Sequence, residues 1–304
     1  MVAALYALIC AIWGSTWFVI KIGLVGVPPF LGAGLRFLLS TALIGLAIAF
    51  RRARFRLTHE ERICALSAGV LVFWLDYAAV YWAEMHISSG LTAVLFSTMP
   101  LMTSILSAYW TRTERLNRRK LIGILVGMLG TVLLFWPQER LGAYQVLGML
   151  ATLGASFCAA INLVMMKKYG RHADPFLVNF FGMALGAACL LVMSLALERR
   201  SAVAWTRSNL LAIAYLSAFG SVIAFSAYYY LIKRMDATIV SLSTLIIPIV
   251  ALALGRAFLH ETVTSRALLG ILTITAGVAV ALVPTRLPDG RTAPHRSRSA
   301  SDST

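Results

Sequence analysis

Charged residues are scarce in this 304-residue sequence, where Asp, Glu, Lys and Arg together make up 13%. Soluble domains contain about 25% charged residues. Hydrophobic residues account for 60% of the chain, which excludes an ordinary soluble domain. The composition predicts an integral membrane protein. The apolar runs are continuous and do not alternate with polar residues, so they predict an all-α fold and not the strands of a barrel.

The sequence also lacks the motifs of common enzyme and metal sites. No Walker A pattern is present, so we expect no ATP hydrolysis. His59 and His260 each precede a glutamate, but neither has the second histidine of a zinc-protease helix. The residues around Ser156 do not form a nucleophile elbow. We predict a protein that is not an enzyme and has no cofactor.

Cysteine is rarer still, and the positions of the cysteines indicate no chemical role. The four cysteines are scattered and show no metal-ligand spacing; they are Cys10, Cys64, Cys158 and Cys189. All four lie within or at the start of an apolar stretch. We interpret them as small buried residues and predict no metal site.

Ten apolar stretches fill residues 3 to 284. A membrane-spanning helix needs roughly 20 mostly apolar residues, and each stretch is close to that length. We number them segments 1 to 10, and they cover residues 3–22, 30–50, 63–83, 90–110, 120–136, 144–166, 175–197, 209–232, 238–258 and 267–284. The sequence therefore predicts ten transmembrane helices.

The net charge of +15 would suggest nucleic acid in a soluble protein, but its distribution indicates membrane orientation. With the N-terminus in the cytoplasm, 19 of the 27 Lys and Arg residues fall in cytoplasmic loops or the C-terminal tail. Seven fall on the outer side, and Arg36 lies within a segment. This bias follows the positive-inside rule. We predict that both termini are cytoplasmic, that the basic residues contact lipid headgroups and that no nucleic acid is bound.

An internal repeat relates the two halves of the chain. The stretch Gly90–Pro100 has a counterpart in Thr238–Pro248. Each copy continues to an acidic residue, Glu114 or Glu261. Glycines follow nine and sixteen residues after each acid, at Gly123 and Gly130 and at Gly270 and Gly277. Repeats of this kind are typical of transporters that bind their substrate between two halves.

The repeat divides the chain into two halves of five helices. An odd number of helices in each half makes the two halves antiparallel. We assign residues 3–136 to the first half, 144–284 to the second and 285–304 to a disordered, basic cytoplasmic tail.

Proline and glycine mark positions of bending and close approach within the segments. Pro100 and Pro248 occupy matching positions in the two repeats, and a proline inside a helix kinks it. We predict that both serve as a hinge or a cavity wall, with a static packing kink as the alternative. The pairs Gly123 and Gly127, and Gly182 and Gly186, are spaced for tight helix contacts.

Buried charge is the strongest functional signal. Asp76 lies well inside segment 3, where a carboxylate costs at least about 2.5 kcal/mol. Arg36 in segment 2 lies at a similar depth, with Lys21 and Glu84 in the same outer layer. Two hypotheses stay open. These charges line a substrate pathway, with Asp76 titrating or pairing during the cycle, or Arg36 and Asp76 form a fixed ion pair between two helices.

Aromatic and small polar side chains form a second group of candidates. Trp13 and Trp17 share a helix face and lie too deep for the membrane interface. Such rings stack on a planar or cationic substrate or fill the core. We predict a central cavity lined by segments 1, 3, 4, 6, 8 and 9. The further candidates are Ser15, Thr16, Tyr77, Ser97, Asn162, Tyr228 and Thr244.

The order of these features matches a known family. The chain resembles the EamA-type transporters of the drug/metabolite transporter superfamily over residues 3–284. The resemblance rests on Trp13-Gly-Ser-Thr-Trp-Phe-Val-Ile-Lys21, Tyr81-Trp82-Ala-Glu84 and Ser89-Gly90 through Pro100, with Pro248 to Gly255 in the second half. The second half departs from the pattern, because Leu153-Gly154 replaces the Trp-Gly signature and nothing matches Lys21 or Arg36.

The resemblance implies two EamA repeats, a bacterial inner-membrane location and alternating access. It also implies export of amino acids, their derivatives or other small metabolites. The expected partners are a small-molecule substrate and the lipid bilayer, with protons as a candidate coupling ion. The alternatives are an uncoupled facilitator or exchanger and a membrane accessory subunit that transports nothing. The sequence leaves the oligomeric state open.

Overall fold

The computed structural model of the protein describes residues 1–50, 55–134, 142–259 and 265–282. Within these ranges the chain is helical and contains no strand. Each predicted segment contains helix, and the bounds are Val2–Gly23, Pro29–Phe50, His59–Ala83, Ser89–Phe96 with Met99–Tyr109, Arg118–Leu134, Ala143–Tyr169, Pro175–Leu197, Arg207–Ile232, Ala237–Ser241 with Ser243–Leu259, and Ser265–Leu282. The predicted all-helical class is confirmed.

Seven helical stretches of the described residues are long and apolar enough to cross a membrane; they belong to segments 1, 2, 3, 4, 6, 7 and 8, and the stretch in segment 4, Leu91–Tyr109, runs across the gap between its two helices. The helices of segments 5, 9 and 10 are shorter, with 17, 17 and 18 residues. Large apolar side chains lie exposed on the outer faces, among them Leu195 and Leu211. The chain is therefore a multi-pass membrane protein.

Two helices contain a wider, π-helical stretch at equivalent places in the two halves. In segment 3, Ala68–Asp76 is a π-helix, and in segment 8, Leu216–Ile223 is another. The backbone N–H of Tyr77 accordingly donates to the carbonyl of Val72, five residues earlier. Such widened turns often occur at functional sites. Asp76 lies at the end of the first one.

Segments 4 and 9 are interrupted, though not at their prolines. Segment 4 breaks at residues 97 and 98, and Pro100 lies in the first turn of the helix that follows. There a proline is well tolerated, because its missing N–H has no helical partner. Segment 9 breaks at Leu242, six residues before Pro248, which stays inside Ser243–Leu259. Both prolines therefore lie in the middle of their segments, Pro248 inside a helix and Pro100 at the start of the second helix of segment 4.

Glycines allow the final helices of the two halves to touch. A Cβ added to Gly123 would lie 2.6 Å from the carbonyl oxygen of Gly277, and one added to Gly130 would lie 2.8 Å from that of Gly270. Gly123 and Gly270 occupy the same position in the two repeats, as do Gly130 and Gly277. Each glycine of one pair therefore contacts a glycine of the other pair, as expected for helices that run in opposite directions. In segment 7, Gly182 and Gly186 leave room for Phe73. The predicted close approaches are confirmed. Glu261 and the tail 285–304 lie outside the described residues.

Candidate functional site

A cavity of about 90 Å³ lies between the helices of segments 1, 3, 4, 6, 8 and 9. These are the six segments named above, and they come from both halves of the chain. The volume holds several water molecules or a small solute. The lining residues are Trp13, Thr16, Trp17, Ile20, Val72, Asp76, Tyr77, Val80, Ala93, Phe96, Met99, Ala159, Asn162, Phe225, Tyr228, Ser243, Thr244 and Ile247.

Aromatic rings form much of the cavity wall and hold one another in position by packing. Trp13 packs edge-on against Phe225 at 5.3 Å and Tyr228 at 5.0 Å between ring centroids. Its indole N–H also donates to the carbonyl of Gly220 at 3.3 Å. Trp17 packs edge-on against Phe96 at 5.8 Å. Contacts of this geometry stabilise ring positions, so the wall is held from segments 1, 4 and 8.

Asp76 is the one charged residue among those that line the cavity. Its side chain is 5% exposed, and its Oδ1 atom is buried without a hydrogen-bond partner. Within the described ranges no Lys or Arg nitrogen lies within 4.0 Å of the carboxylate. The fixed Arg36–Asp76 ion pair, one of the two hypotheses, is therefore not formed.

Arg36 instead lies behind the cavity wall, fully buried. Its Nε donates to Ser221 Oγ at 2.9 Å, and its terminal nitrogens donate to the hydroxyls of Tyr81 at 3.4 Å and Tyr77 at 3.3 Å. The guanidinium also lies over the Tyr77 ring, 4.7 Å from its centroid. Arg36 thus joins segments 2, 3 and 8 and does not line the cavity.

Lys21 and Glu84 form a separate cluster at the end of segment 3. Lys21 Nζ donates to the Glu84 carbonyl at 2.6 Å, and Ser89 Oγ donates to Glu84 Oε2 at 2.6 Å. Burial raises the pKa of the Glu84 carboxyl to about 7, against the opposing effects of the Ser89 hydrogen bond and the Lys21 charge. Neither Lys21 nor Glu84 lines the cavity.

The uncharged polar candidates divide between the cavity and the helix interior. Thr16 and Thr244 line the cavity, but their hydroxyls donate to the backbone carbonyls of Trp13 and Ser241, three residues earlier, at 2.8 and 2.9 Å. Asn162 also lines it and accepts a 3.1 Å hydrogen bond from Ser67. Ser15 and Ser97 do not line it and donate to nearby backbone carbonyls at 2.7 and 2.6 Å.

Eight of the fourteen candidate residues line the cavity: Trp13, Thr16, Trp17, Asp76, Tyr77, Asn162, Tyr228 and Thr244. Ser15, Lys21, Arg36, Ser97, Pro100 and Pro248 do not. Sequence reasoning missed Phe96 and Phe225. Helical spacing could have found Phe225, because it lies three residues before Tyr228 and so on the same face. Within the described ranges, no three His, Cys, Asp or Glu side chains lie close enough to hold a metal.

A helical membrane protein with a cavity between its two halves has the architecture of a transporter. The chain matches the EamA-like transporter family over residues 1–136 and 146–283. The chain therefore belongs to this family, as the sequence resemblance predicted, and transport across a membrane is the activity that the family name carries.

Relatives extend over nearly the whole chain. The uncharacterized transporter YoaV of Bacillus subtilis is 27% identical over 88% of this chain and 91% of its own. The uncharacterized inner membrane transporter YedA of Escherichia coli K12 is 30% identical over 86% and 83%. A protein of Salmonella typhimurium named "Probable amino-acid metabolite efflux pump" is 27% identical over 90% and 92%.

A solved crystal structure is similar in fold, with a TM-score of 0.77 and 19% identity. The alignment covers 92% of this chain and 97% of the other. At this identity the likeness concerns the fold alone. Together with the inner-membrane relatives and the seven membrane-length helices, the family match assigns the chain to the inner membrane as a multi-pass transporter.

Proposed function

We propose that this protein is a secondary transporter that exports small metabolites, such as amino acids or their derivatives, from the cytoplasm by alternating access. The observation that carries the proposal is the cavity between helices of both halves. A site shared by two halves is exposed to one side or the other when the halves rock against each other. The efflux activity in the name of the Salmonella relative supports export of an amino-acid metabolite.

We further propose ten transmembrane helices in two inverted halves, residues 3–136 and 144–284, with both termini in the cytoplasm. The equivalent π-helical stretches and the opposed glycines of segments 5 and 10 support an inverted repeat. The bias of basic residues supports the orientation.

Polar contacts at the two ends of the helices support a rocking motion. At the predicted cytoplasmic end, Lys120 of the first half pairs with Asp236 of the second at 2.6 Å. At the predicted outer end, Glu198 of the second half accepts hydrogen bonds from the backbone of Phe30 and Leu31 in the first, at 2.8 and 2.9 Å. Opening toward either side would break one set and keep the other.

The proposed substrate site consists of the eight candidate residues that line the cavity. Arg36 acts as a positioning residue through its contacts to Tyr77 and Ser221, and Pro248 and the break at residues 97 and 98 supply flexibility in the walls. Uphill export requires a gradient, and protons are the proposed coupling ion.

The test is an untargeted comparison of metabolites inside and outside cells that overproduce the protein, beside cells with an empty vector. Export predicts at least one compound that is enriched outside and depleted inside. Collapse of that difference by an uncoupler supports proton coupling, whereas persistence indicates an uncoupled facilitator. If no compound moves and the protein co-purifies with a stoichiometric partner, the export proposal is wrong and the chain is an accessory subunit.

A further inference from the structure

The lining of the cavity contains an acidic side chain and no basic one. Asp76 is the one charged side chain among the lining residues, and they include no lysine, arginine or histidine. The nearby basic groups are engaged elsewhere, Arg36 with Ser221, Tyr77 and Tyr81, and Lys21 with the Glu84 carbonyl. The cavity therefore offers one carboxyl group and no basic side chain to whatever enters it.

The Asp76 carboxylate forms no ion pair within the described part of the chain, although the charge of Arg36 acts on it from beyond 4.0 Å. Its Oδ1 atom is buried and makes no hydrogen bond, and no cation of the described residues lies within 4.0 Å. An isolated carboxylate at such a depth is strongly unfavourable unless a charge or a proton compensates it. A ligand with a positive group would supply that compensation from inside the cavity.

The aromatic wall favours the same kind of ligand. Trp13, Trp17, Tyr77 and Tyr228 line the cavity together with Asp76. The faces of Trp and Tyr rings attract cations, and their surfaces accommodate an apolar body. Phe96 and Phe225 extend this apolar lining from segments 4 and 8.

We infer that the transported substrate carries a cationic ammonium group, which binds the Asp76 carboxylate, and an apolar or aromatic body, which packs among Trp13, Trp17, Tyr77 and Tyr228. The inference rests on the proposed transport function and narrows its substrate class. The cavity of about 90 Å³ holds only part of such a molecule, so the two halves must open around the substrate, as alternating access requires. Compounds whose only charge is a carboxylate are disfavoured, because they would face Asp76 without a basic partner.

The test is calorimetric titration of the purified full-length protein with two probes of matched shape, 2-phenylethylamine and 2-phenylethanol. The amine is charged at pH 7.5 and the alcohol is neutral. We expect the wild-type protein to bind the amine at least tenfold more tightly than the alcohol. Asp76→Asn should lose this preference, since it keeps the side-chain size and removes the charge.

Two further variants make the result specific. Asp76→Glu keeps the charge and should retain most of the preference. Glu84→Gln removes another fully buried carboxylate, eight residues away and outside the cavity, and should retain all of it. Equal binding of amine and alcohol by the wild-type protein, binding of neither probe, or an unchanged preference in Asp76→Asn would each overturn the inference.

The two proposals fail separately. If cells export an anionic or neutral compound while the protein shows no preference for the amine, export stands and the cationic substrate class is wrong. If the purified protein prefers the amine through Asp76 but no compound crosses the membrane, the cation site stands and the transport proposal is wrong.

Discussion

Arg36 Nε donates a 2.9 Å hydrogen bond to Ser221 Oγ and so joins segment 2 of the first half to the π-helical stretch of segment 8 in the second. Both residues are fully buried. Ser221→Ala should leave a charged donor unpaired in the interior, at a cost of roughly 1–3 kcal/mol.

The measurement for this pair is thermal unfolding of Ser221→Ala in detergent. Ser201→Ala, at an exposed site outside the helices, is the control and should unfold like the wild-type protein. An unchanged midpoint for Ser221→Ala would show that the link between the halves contributes nothing measurable to stability.

The helix contact between segments 5 and 10 gives a second prediction. A Cβ at Gly123 would lie 2.6 Å from backbone atoms of Gly277 and Ala281, so Gly123→Ala must push two backbones apart. We expect a loss of roughly 1–3 kcal/mol, as for other overpacked interiors. Gly154→Ala is the matched control, because its added Cβ meets no atom within 4 Å beyond the backbone of its own helix, and it should be neutral or stabilising. Equal unfolding midpoints would contradict the packing.

Stability should depend on pH through Glu84. Its pKa is raised from 4.5 to about 7, so the folded state holds this proton more tightly than the unfolded chain does. The free energy of unfolding should therefore fall as pH rises from about 4.5 to 7, by up to roughly 3 kcal/mol for this group.

Glu84→Gln cannot ionise, and its unfolding midpoint should decline less between pH 5 and pH 8 than that of the wild-type protein. Asp236→Asn, which removes a half-exposed carboxylate, is the control and should keep the wild-type slope. Parallel curves for Glu84→Gln and the wild-type protein would rule out this origin of the pH dependence.

Glu198 stabilises a helix end that belongs to the other half of the chain. Its two carboxylate oxygens accept from the backbone N–H groups of Phe30 and Leu31, in the first turn of Pro29–Phe50. Glu198→Ala should cost about 1–2 kcal/mol, since it removes these acceptors and a negative charge from a helix N-terminus. Arg199→Ala, at the exposed neighbouring position, should leave the unfolding midpoint unchanged. The same loss in both variants would indicate a loop effect instead.

Much of the fold follows from the sequence, because the length of the apolar stretches and the distribution of basic residues depend directly on how the chain crosses the membrane. The helices of segments 1, 2 and 7 begin and end within about a residue of the predicted bounds. The π-helical stretches could not be predicted, since Ala68–Asp76 has no composition that separates an i→i+5 turn from an ordinary one. The break in segment 4 precedes Pro100, because a proline fits better at a helix start than inside a helix.

The sequence predicts how deep in the membrane the site residues lie, but only partly predicts which way their side chains point. The spacing of Trp13 and Trp17 sets both on one face, and both line the cavity. The sequence also indicates that Arg36 and Asp76 lie at similar depth. It does not contain the rotation of segment 2 about its axis, which brings Arg36 to Ser221 and leaves it without an ion pair to Asp76. Helix rotation depends on packing against every neighbour, which one sequence does not show.

The most direct measurement of the central claim, that substrate passes through the cavity between the two halves, is export by two phenylalanine variants of segment 6. Ala159 lines the cavity and is 7% exposed, whereas Gly154, five residues earlier, faces open space. The compound found by the metabolite comparison is followed in cells that contain equal amounts of folded protein. We predict that Ala159→Phe exports it at less than about a tenth of the wild-type rate and that Gly154→Phe exports it normally. Equal export by both variants would contradict a pathway through this cavity.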